Sequence, residues 1–255
     1  MGTQRRSGPM TIQAIRDLQD GVIGRVYCAS GSYAILRDSI GKGRLVDVPP
    51  HLDYELWQGP APRRPYVDNR IHYNWHWLWH WGNGELGNNG VHILDLCRWG
   101  LRVDYPIRVT SSGGRYRFDD DQQTPDTHMV GFEFDNETAI TWRGLSCNRH
   151  GSNFVTFYGE NGTLELDSNG AHVICDAHDK EVKRVLGGSI GDSEHYANFL
   201  SAIRNDNPLN LNAEIEQGHI STLLCHLGNI AQRTGNSLKC RASDEKEEEG
   251  EGGRG

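Results

Sequence analysis

The sequence predicts an α+β fold, an open and mainly antiparallel β-sheet with helices packed on one face. Two observations lead there. Between about residues 127 and 186, short stretches of alternating apolar and polar side chains follow one another with no helical segment between them, which favours antiparallel pairing. Helical periodicity is confined to the two ends of the chain and one central segment. With 255 residues, 36% hydrophobic and 24% charged, the chain has the composition of an ordinary globular protein and the length to bury a sizeable core.

Taken in order, "SGPMTIQAIRDLQDG" reads as a first helix, with Ser7 as N-cap, Pro9 in the first turn, Ile12, Ile15 and Leu18 on one face and Gly21 as the stop. "GRVYCASGSYAIL" reads as a strand from its β-branched and aromatic content. Residues 37–74, rich in Pro and Gly, read as a long loop of the kind that usually serves function. "GVHILDLCRWG" is predicted helical, offering Val91, Leu94 and Trp99 for burial and placing Gly100 at C′. "THMVGFEFD" and "ETAITWRG" follow as strands that point Val130, Phe132, Phe134, Ile140 and Trp142 to one face. "NFVTFYGENGTLELD" is a hairpin turning at Asn161-Gly162, and "HVICD" and "EVKRVL" add two strands. Two helices close the domain. The first sets Tyr196, Phe199, Leu200 and Ile203 on one side, and the second sets Ile220, Leu223, Leu224, Leu227 and Ile230 on one side before Gly235. The domain is therefore placed at 1–240, with 241–255 ("DEKEEEGEGGRG" for the most part) as a disordered acidic tail.

Charge and cysteine usage exclude several classes. Of the formal net charge of −8, the three basic and six acidic residues of 241–255 account for −3 and residues 1–240 for −5. Such a body has no basic stripe for nucleic acid. No stretch approaches the 18 or so apolar residues of a membrane span, and "MGTQRRSGPM" is followed by no apolar segment of a secretory signal. The six cysteines are scattered singly, as reduced thiols in a cytoplasmic protein would be.

One segment stands out chemically. In "WHWLWHWGNGELGNNGVHILDLCRW", Trp75, Trp77, Trp79 and Trp81 alternate as on one face of an extended strand, and indole faces stack well on the C–H faces of sugar rings. They serve equally well to fill the gap between loop and sheet. His72, His76 and His80 recur every four residues, which on a helix would mimic a metal site; the tryptophan alternation and the lack of an interleaved carboxylate weigh against a metal.

"GTQRRS", "LWQGPAP", "HYNWHW", "GELGNNGVHILDLCRWGL", "TPDT", "GENGTLEL" and "LNAEIEQGHIS", in this element order, resemble the C-terminal domain of the glucose–fructose oxidoreductase, inositol dehydrogenase and MocA (Gfo/Idh/MocA) family over about residues 2–238. The resemblance implies NAD(P)-dependent oxidation or reduction of a sugar or polyol. It also implies a preceding Rossmann domain, of which this sequence has neither a GxGxxG after a strand nor the Glu-Lys-Pro motif with its catalytic lysine. The expectation is that this chain alone binds no cofactor, NAD or NADP, and is not a self-sufficient dehydrogenase. "GNNGVH" matches the family's D-x-x-x-H pair, so His92 falls on the histidine and Asn88 on the aspartate. A histidine of near-neutral pKa takes the hydroxyl proton as hydride leaves the adjacent C–H. Asn88 departs from the pattern: an amide is no base, although it hydrogen-bonds a sugar hydroxyl.

These two are the candidate catalytic residues; Trp75, His76, Trp77, Asn89, Asp95, Arg5 and Arg6 are the candidate substrate-binding ones. Asp95, one turn after His92, either orients the imidazole or complements the helix dipole, and Arg5 and Arg6 lie on the segment that enters the domain. The favoured function is a sugar-oxidoreductase-family chain that binds its sugar. The alternatives are a redox-independent sugar lyase, epimerase or hydrolase using His92, and a partner that docks its sheet onto a full-length homologue. The family's sheet face pairs subunits, and alternation of Phe154, Thr156 and Tyr158 with Val155 and Phe157 suggests two apolar faces, hence a homo-oligomer.

Overall fold

A computed structural model describes residues 2–151, 153–207 and 210–240. Among them, helices α1 (Pro9–Gln19), α2 (Tyr54–Trp57), α3 (Val91–Leu101), α4 (Asp192–Arg204) and α5 (Ile215–Thr234) alternate with strands β1 (Val26–Ala34), β2 (Arg108–Gly114), β3 (Thr127–Glu133), β4 (Ala139–Leu145), β5 (Val155–Gly159), β6 (Gly162–Leu166), β7 (His172–Asp176), β8 (Glu181–Val185) and β9 (Leu238–Lys239). The strands form one open sheet in the order β8-β7-β6-β5-β1-β4-β3-β2-β9. Only the central β1–β4 pair is parallel; the other pairings are antiparallel. The fold is the expected α+β sheet with α1, α3 and α5 on one face.

The core lies between that face and the helices. Val130 and Phe132 from β3, Ile140 and Trp142 from β4, Val155 and Phe157 from β5 and Leu164 and Leu166 from β6 meet Ile15 and Leu18 of α1, Ile93, Leu94 and Leu96 of α3 and Leu224 of α5. Alternation along the strands put these side chains on the predicted face, because a period of two leaves no other register with a continuous core. Close approach of α3 to the sheet rests on two glycines. A Cβ on Gly31 of β1 would stand 1.9 Å from Ile93 Cγ2, and one on Gly100 would stand 2.2 Å from Phe157 Cε1.

That contact corrects the reading of Gly100, which lies inside α3 because Phe157 covers it; the helix ends one residue later, at Leu101, with Arg102 in the left-handed conformation (φ 56°) as its C-cap. At the first helix, Gly8 rather than Ser7 is the N-cap, since Ser7 closes a preceding 3-10 turn, Gln4–Ser7. The β5–β6 hairpin pairs Gly159 with Gly162, so its turn is Glu160-Asn161. Strand β2, not anticipated, joins the sheet beside β3. The larger corrections concern exposed faces. Tyr196, Phe199, Leu200 and Ile203 of α4 are 45–68% exposed instead of buried. On the open side of the sheet the residues are Ser30, Ser32, Thr110, Ser112, Thr141 and Arg143 with Met129 around a hollow of about 600 Å3. Over β1 to β4 that face is hydroxyl-rich, and at β5 Phe154 and Thr156, 8% exposed each, are covered instead of free. The proposed acidic tail, 241–255, lies outside the described residues.

Candidate functional site

The approach to α3 is a single π-helical turn, Leu86–Gly90. Such i→i+5 turns inside helices recur at functional sites because they bulge the chain and re-aim its side chains. Gly90 is needed there, since a Cβ would meet Leu86 Cδ1 at 3.0 Å and Trp142 at 3.1 Å. Just before the turn sits Glu85, 3% exposed. Its carboxylate accepts from Arg37 Nε at 2.7 Å and Nη2 at 3.3 Å, from Asn88 Nδ2 at 3.3 Å and, more closely, from Asn89 Nδ2. The Arg37 guanidinium also donates to the Tyr73 hydroxyl at 3.0 Å and lies 4.7 Å from the Trp77 ring centroid. Asn88 and Asn89 are thus half-buried residues whose amide nitrogens are engaged by a buried acid.

His92, at the first turn of α3, is half-buried, and its Nδ1 is buried without a hydrogen-bond partner. Burial holds its pKa below the usual histidine value, and the nearby Arg5 cation adds to that, against Asp95 and Asp192 which oppose it. The ring is therefore neutral at physiological pH. Arg5 lies over the Phe154 ring, 4.3 Å from its centroid, and donates through Nη1 to the Ser168 carbonyl. Beyond it opens a cavity of about 440 Å3 lined by Tyr33, Arg149, Asn153, Phe154, Asp167 and Ser168. Burial, followed by the charge of Glu85, raises the Tyr33 pKa, so its hydroxyl stays protonated.

Other sequence candidates fall elsewhere. Asp95 does not orient the imidazole: its oxygens accept from Arg6 Nε at 2.8 Å and Nη2 at 3.0 Å, and from Ser221 Oγ at 2.8 Å. Arg6, 8% exposed, is committed to this pair and faces no open site. The tryptophan run is not an extended strand either. Asn74–Trp77 is a 3-10 turn continued by hydrogen bonds from Leu78 N to the Trp75 carbonyl (3.2 Å) and from Trp81 N to the Leu78 carbonyl (3.1 Å). Three-residue steps therefore replace alternation. Trp77, 3% exposed, packs toward Arg37 and Tyr73, whereas Trp75 and His76 stack on each other at 3.8 Å. Among the described residues, no group of His, Cys, Asp and Glu could hold a metal ion. Glu85, Arg37, Tyr33 and Tyr73 escaped the sequence reading, although Glu85 stood inside the quoted segment as an acid among glycines and apolar residues.

Residues 39–251 match a known family described as "Oxidoreductase family, C-terminal alpha/beta domain". The chain belongs to that family. No curated protein sequence matches it. Among solved structures, the aldose-aldose oxidoreductase of Caulobacter crescentus in complex with glycerol superposes with a TM-score of 0.67 at 14% identity, over 94% of this chain and 63% of that one. The WlbA dehydrogenase of Bordetella pertussis in complex with NADH and UDP-GlcNAcA gives 0.60 at 16% identity, over 94% and 62%. UDP-N-acetylglucosamine 3-dehydrogenase of Acidithiobacillus ferrooxidans gives 0.56 at 15%, over 91% and 60%. At these identities the likeness is one of fold, and this chain spans 60–63% of the length of these structures.

The turn before α3 does not form a cradle for the pyrophosphate of a dinucleotide. A phosphate cradle needs backbone N–H groups facing outward from a glycine loop at a helix start. Here the glycines before α3 face inward: Cβ atoms on Gly84, Gly87 and Gly90 would strike Thr124, Asn83 and Leu86. No helix of the described residues is long and apolar enough to cross a membrane.

Proposed function

We propose that this chain is the sugar- or polyol-binding half of an NAD(P)-dependent oxidoreductase, with the dinucleotide held by the part of the family architecture that it does not span. The observation that carries this reading is His92, a half-buried, neutral imidazole just past a π-bulged helix entry whose turn carries the Glu85–Asn88–Asn89 cluster. A substrate hydroxyl docked there meets a base in its unprotonated form and amides aligned by a buried acid. The solved relatives carry glycerol and a UDP-sugar acid, which favours a hydroxylated ligand. Docking to a homologous chain remains the structural counterpart of this role, and the exposed apolar stripe of α4 is the place we assign to pairing.

Calorimetry of the chain with aldoses and polyols tests the reading directly. Substitution His92→Ala is expected to weaken binding at least tenfold while leaving the melting temperature nearly unchanged. A melting temperature that collapses with the substitution would make His92 structural. The same titration with NAD(H) or NADP(H) is expected to show nothing tighter than about millimolar, about 4 kcal/mol; a micromolar constant would overturn the assignment of the cofactor to another domain.

A further inference from the structure

Away from His92, the long loop folds around an aromatic cavity. Helix α2 delivers Trp57, and the run of three-residue steps delivers Trp75 and Trp81 to the same side. With His80, Gln58 and Pro60 they enclose about 550 Å3, within the range of roughly 300–1,000 Å3 of small-molecule sites. The tryptophans are held rather than loosely collapsed. Trp57 meets Trp81 edge to face at 5.4 Å and stacks with the buried Tyr54 at 5.7 Å, and Trp75 stacks on His76. Gly82 allows the tight turn after Trp81, because a Cβ there would lie 2.3 Å from the His76 carbonyl oxygen. His80 donates through Nε2 to the Pro62 carbonyl at 2.6 Å, so that nitrogen carries the proton.

Three partly exposed indoles around one cavity are more aromatic surface than packing requires, and two features select the occupant. The Arg70 guanidinium stands 5.6 Å from the Trp81 ring centroid, and Glu55, the nearest acid of α2, is paired with Arg63. A positive group already on the aromatic wall disfavours a quaternary ammonium ligand, the usual guest of aromatic cages. Meanwhile the Trp81 Nε1–H is buried with no acceptor, a donor that a ligand hydroxyl satisfies once a ring separates the indoles. Flat C–H faces with equatorial hydroxyls match both requirements.

We propose that the Trp57–Trp75–Trp81 cavity is a second carbohydrate subsite, taking one pyranose ring of a glycoside. This rests on the sugar-binding reading above and adds a second ring site to it. Contacts run from Trp75 through His76, Tyr73, Arg37 and Glu85 to Asn88.

Saturation-transfer NMR and titration with cellobiose and with glucose, on the wild-type chain, Trp57→Ala and His92→Ala, tests it. Cellobiose is expected to bind the wild-type chain, to lose at least tenfold in Trp57→Ala and to show a blue-shifted tryptophan emission on binding; glucose binding to the His92 wall is expected to be unchanged by Trp57→Ala. Trp57→Phe, which keeps a stacking face, should restore most of the cellobiose affinity and so separates the proposal from misfolding of the loop. If Trp57→Ala leaves cellobiose binding intact, or wild type prefers choline or a proline-rich peptide, the subsite is refuted while the His92 reading stands. If instead Trp57→Ala weakens cellobiose and His92→Ala changes neither sugar, the aromatic subsite stands and the His92 reading falls.

Discussion

At Asp95 the chain buries a carboxylate to 1% exposure and surrounds it with Arg6 and Ser221, while Ser221 Oγ also accepts from Arg98 Nη1 at 2.8 Å. This network ties the N-terminal turn to α3 and α5, so its members act on site geometry without touching a ligand. Replacing one member of a buried pair leaves the other charge without compensation, at about 3–5 kcal/mol. Asp95→Ala is therefore expected to lower stability by that amount in urea unfolding, and a loss under 1 kcal/mol would show that Arg6 finds another partner. A second buried group gives a pH signature. His128, 3% exposed, shares a hydrogen bond with Ser111 Oγ at 2.8 Å, and burial pushes its pKa down to about 4. The folded chain then binds this proton less readily than the unfolded one. The stability it protects is complete above about pH 6.5, falls as pH drops toward 4 and levels off below, by about 3 kcal/mol in all. His128→Gln should flatten that fall in melting temperatures measured from pH 7 to 4.5; an equally steep fall in the variant would assign the acid sensitivity to other groups.

The elements differ in how far the sequence announces them. Strands β3 to β7 and helix α5 were legible because one side of each is buried, which forces a regular period on the residues. Strand β2 was not: "RVTSSGG" has Val109 as its one fully buried side chain, so no alternation of apolar residues marks it. The π turn at Leu86–Gly90 has no pattern of its own, so the spacing of Asn88 and His92 does not fix how their side chains are phased. Glu85 was hidden for a different reason, since its principal partner, Arg37, is 48 residues away and no local spacing connects them. By contrast, the His92 and Asn88 positions were legible through the family segment alone. The element most sensitive to substitution is the α3–β1 contact. Gly31→Ala inserts a methyl group where Ile93 Cγ2 lies, an overpacking cost of about 1–3 kcal/mol. Combining it with Ile93→Ala removes the clash, so the double variant is expected to be more stable than the sum of the single effects by at least 1 kcal/mol. Strict additivity in that cycle would mean that α3 shifts away from the sheet instead of resisting.

Across the whole molecule, the apolar surplus is not where the strand pattern put it. The open sheet face presents Ser30, Ser32, Thr110, Ser112 and Thr141, hydroxyls that lose water on association and regain little unless each finds a partner. Helix α4 instead exposes Tyr196, Phe199, Leu200 and Ile203, while the helix itself packs against the N-terminal turn that carries Arg5. Burial of such a stripe yields about 25 cal/mol per Å2 of apolar area, and contiguous patches beyond a few hundred Å2 rarely stay uncovered on monomers. For the chain by itself, light scattering at micromolar concentration is expected to give a mass above 28.6 kDa. Phe199→Glu with Ile203→Glu should bring it down to that value, because two carboxylates in the stripe remove the apolar contact and repel a second copy. Met129→Glu with Thr141→Glu on the sheet should change it less. The reverse ranking would return assembly to the sheet face and show that its serine and threonine hydroxyls pair across the interface closely enough to replace the water they lose.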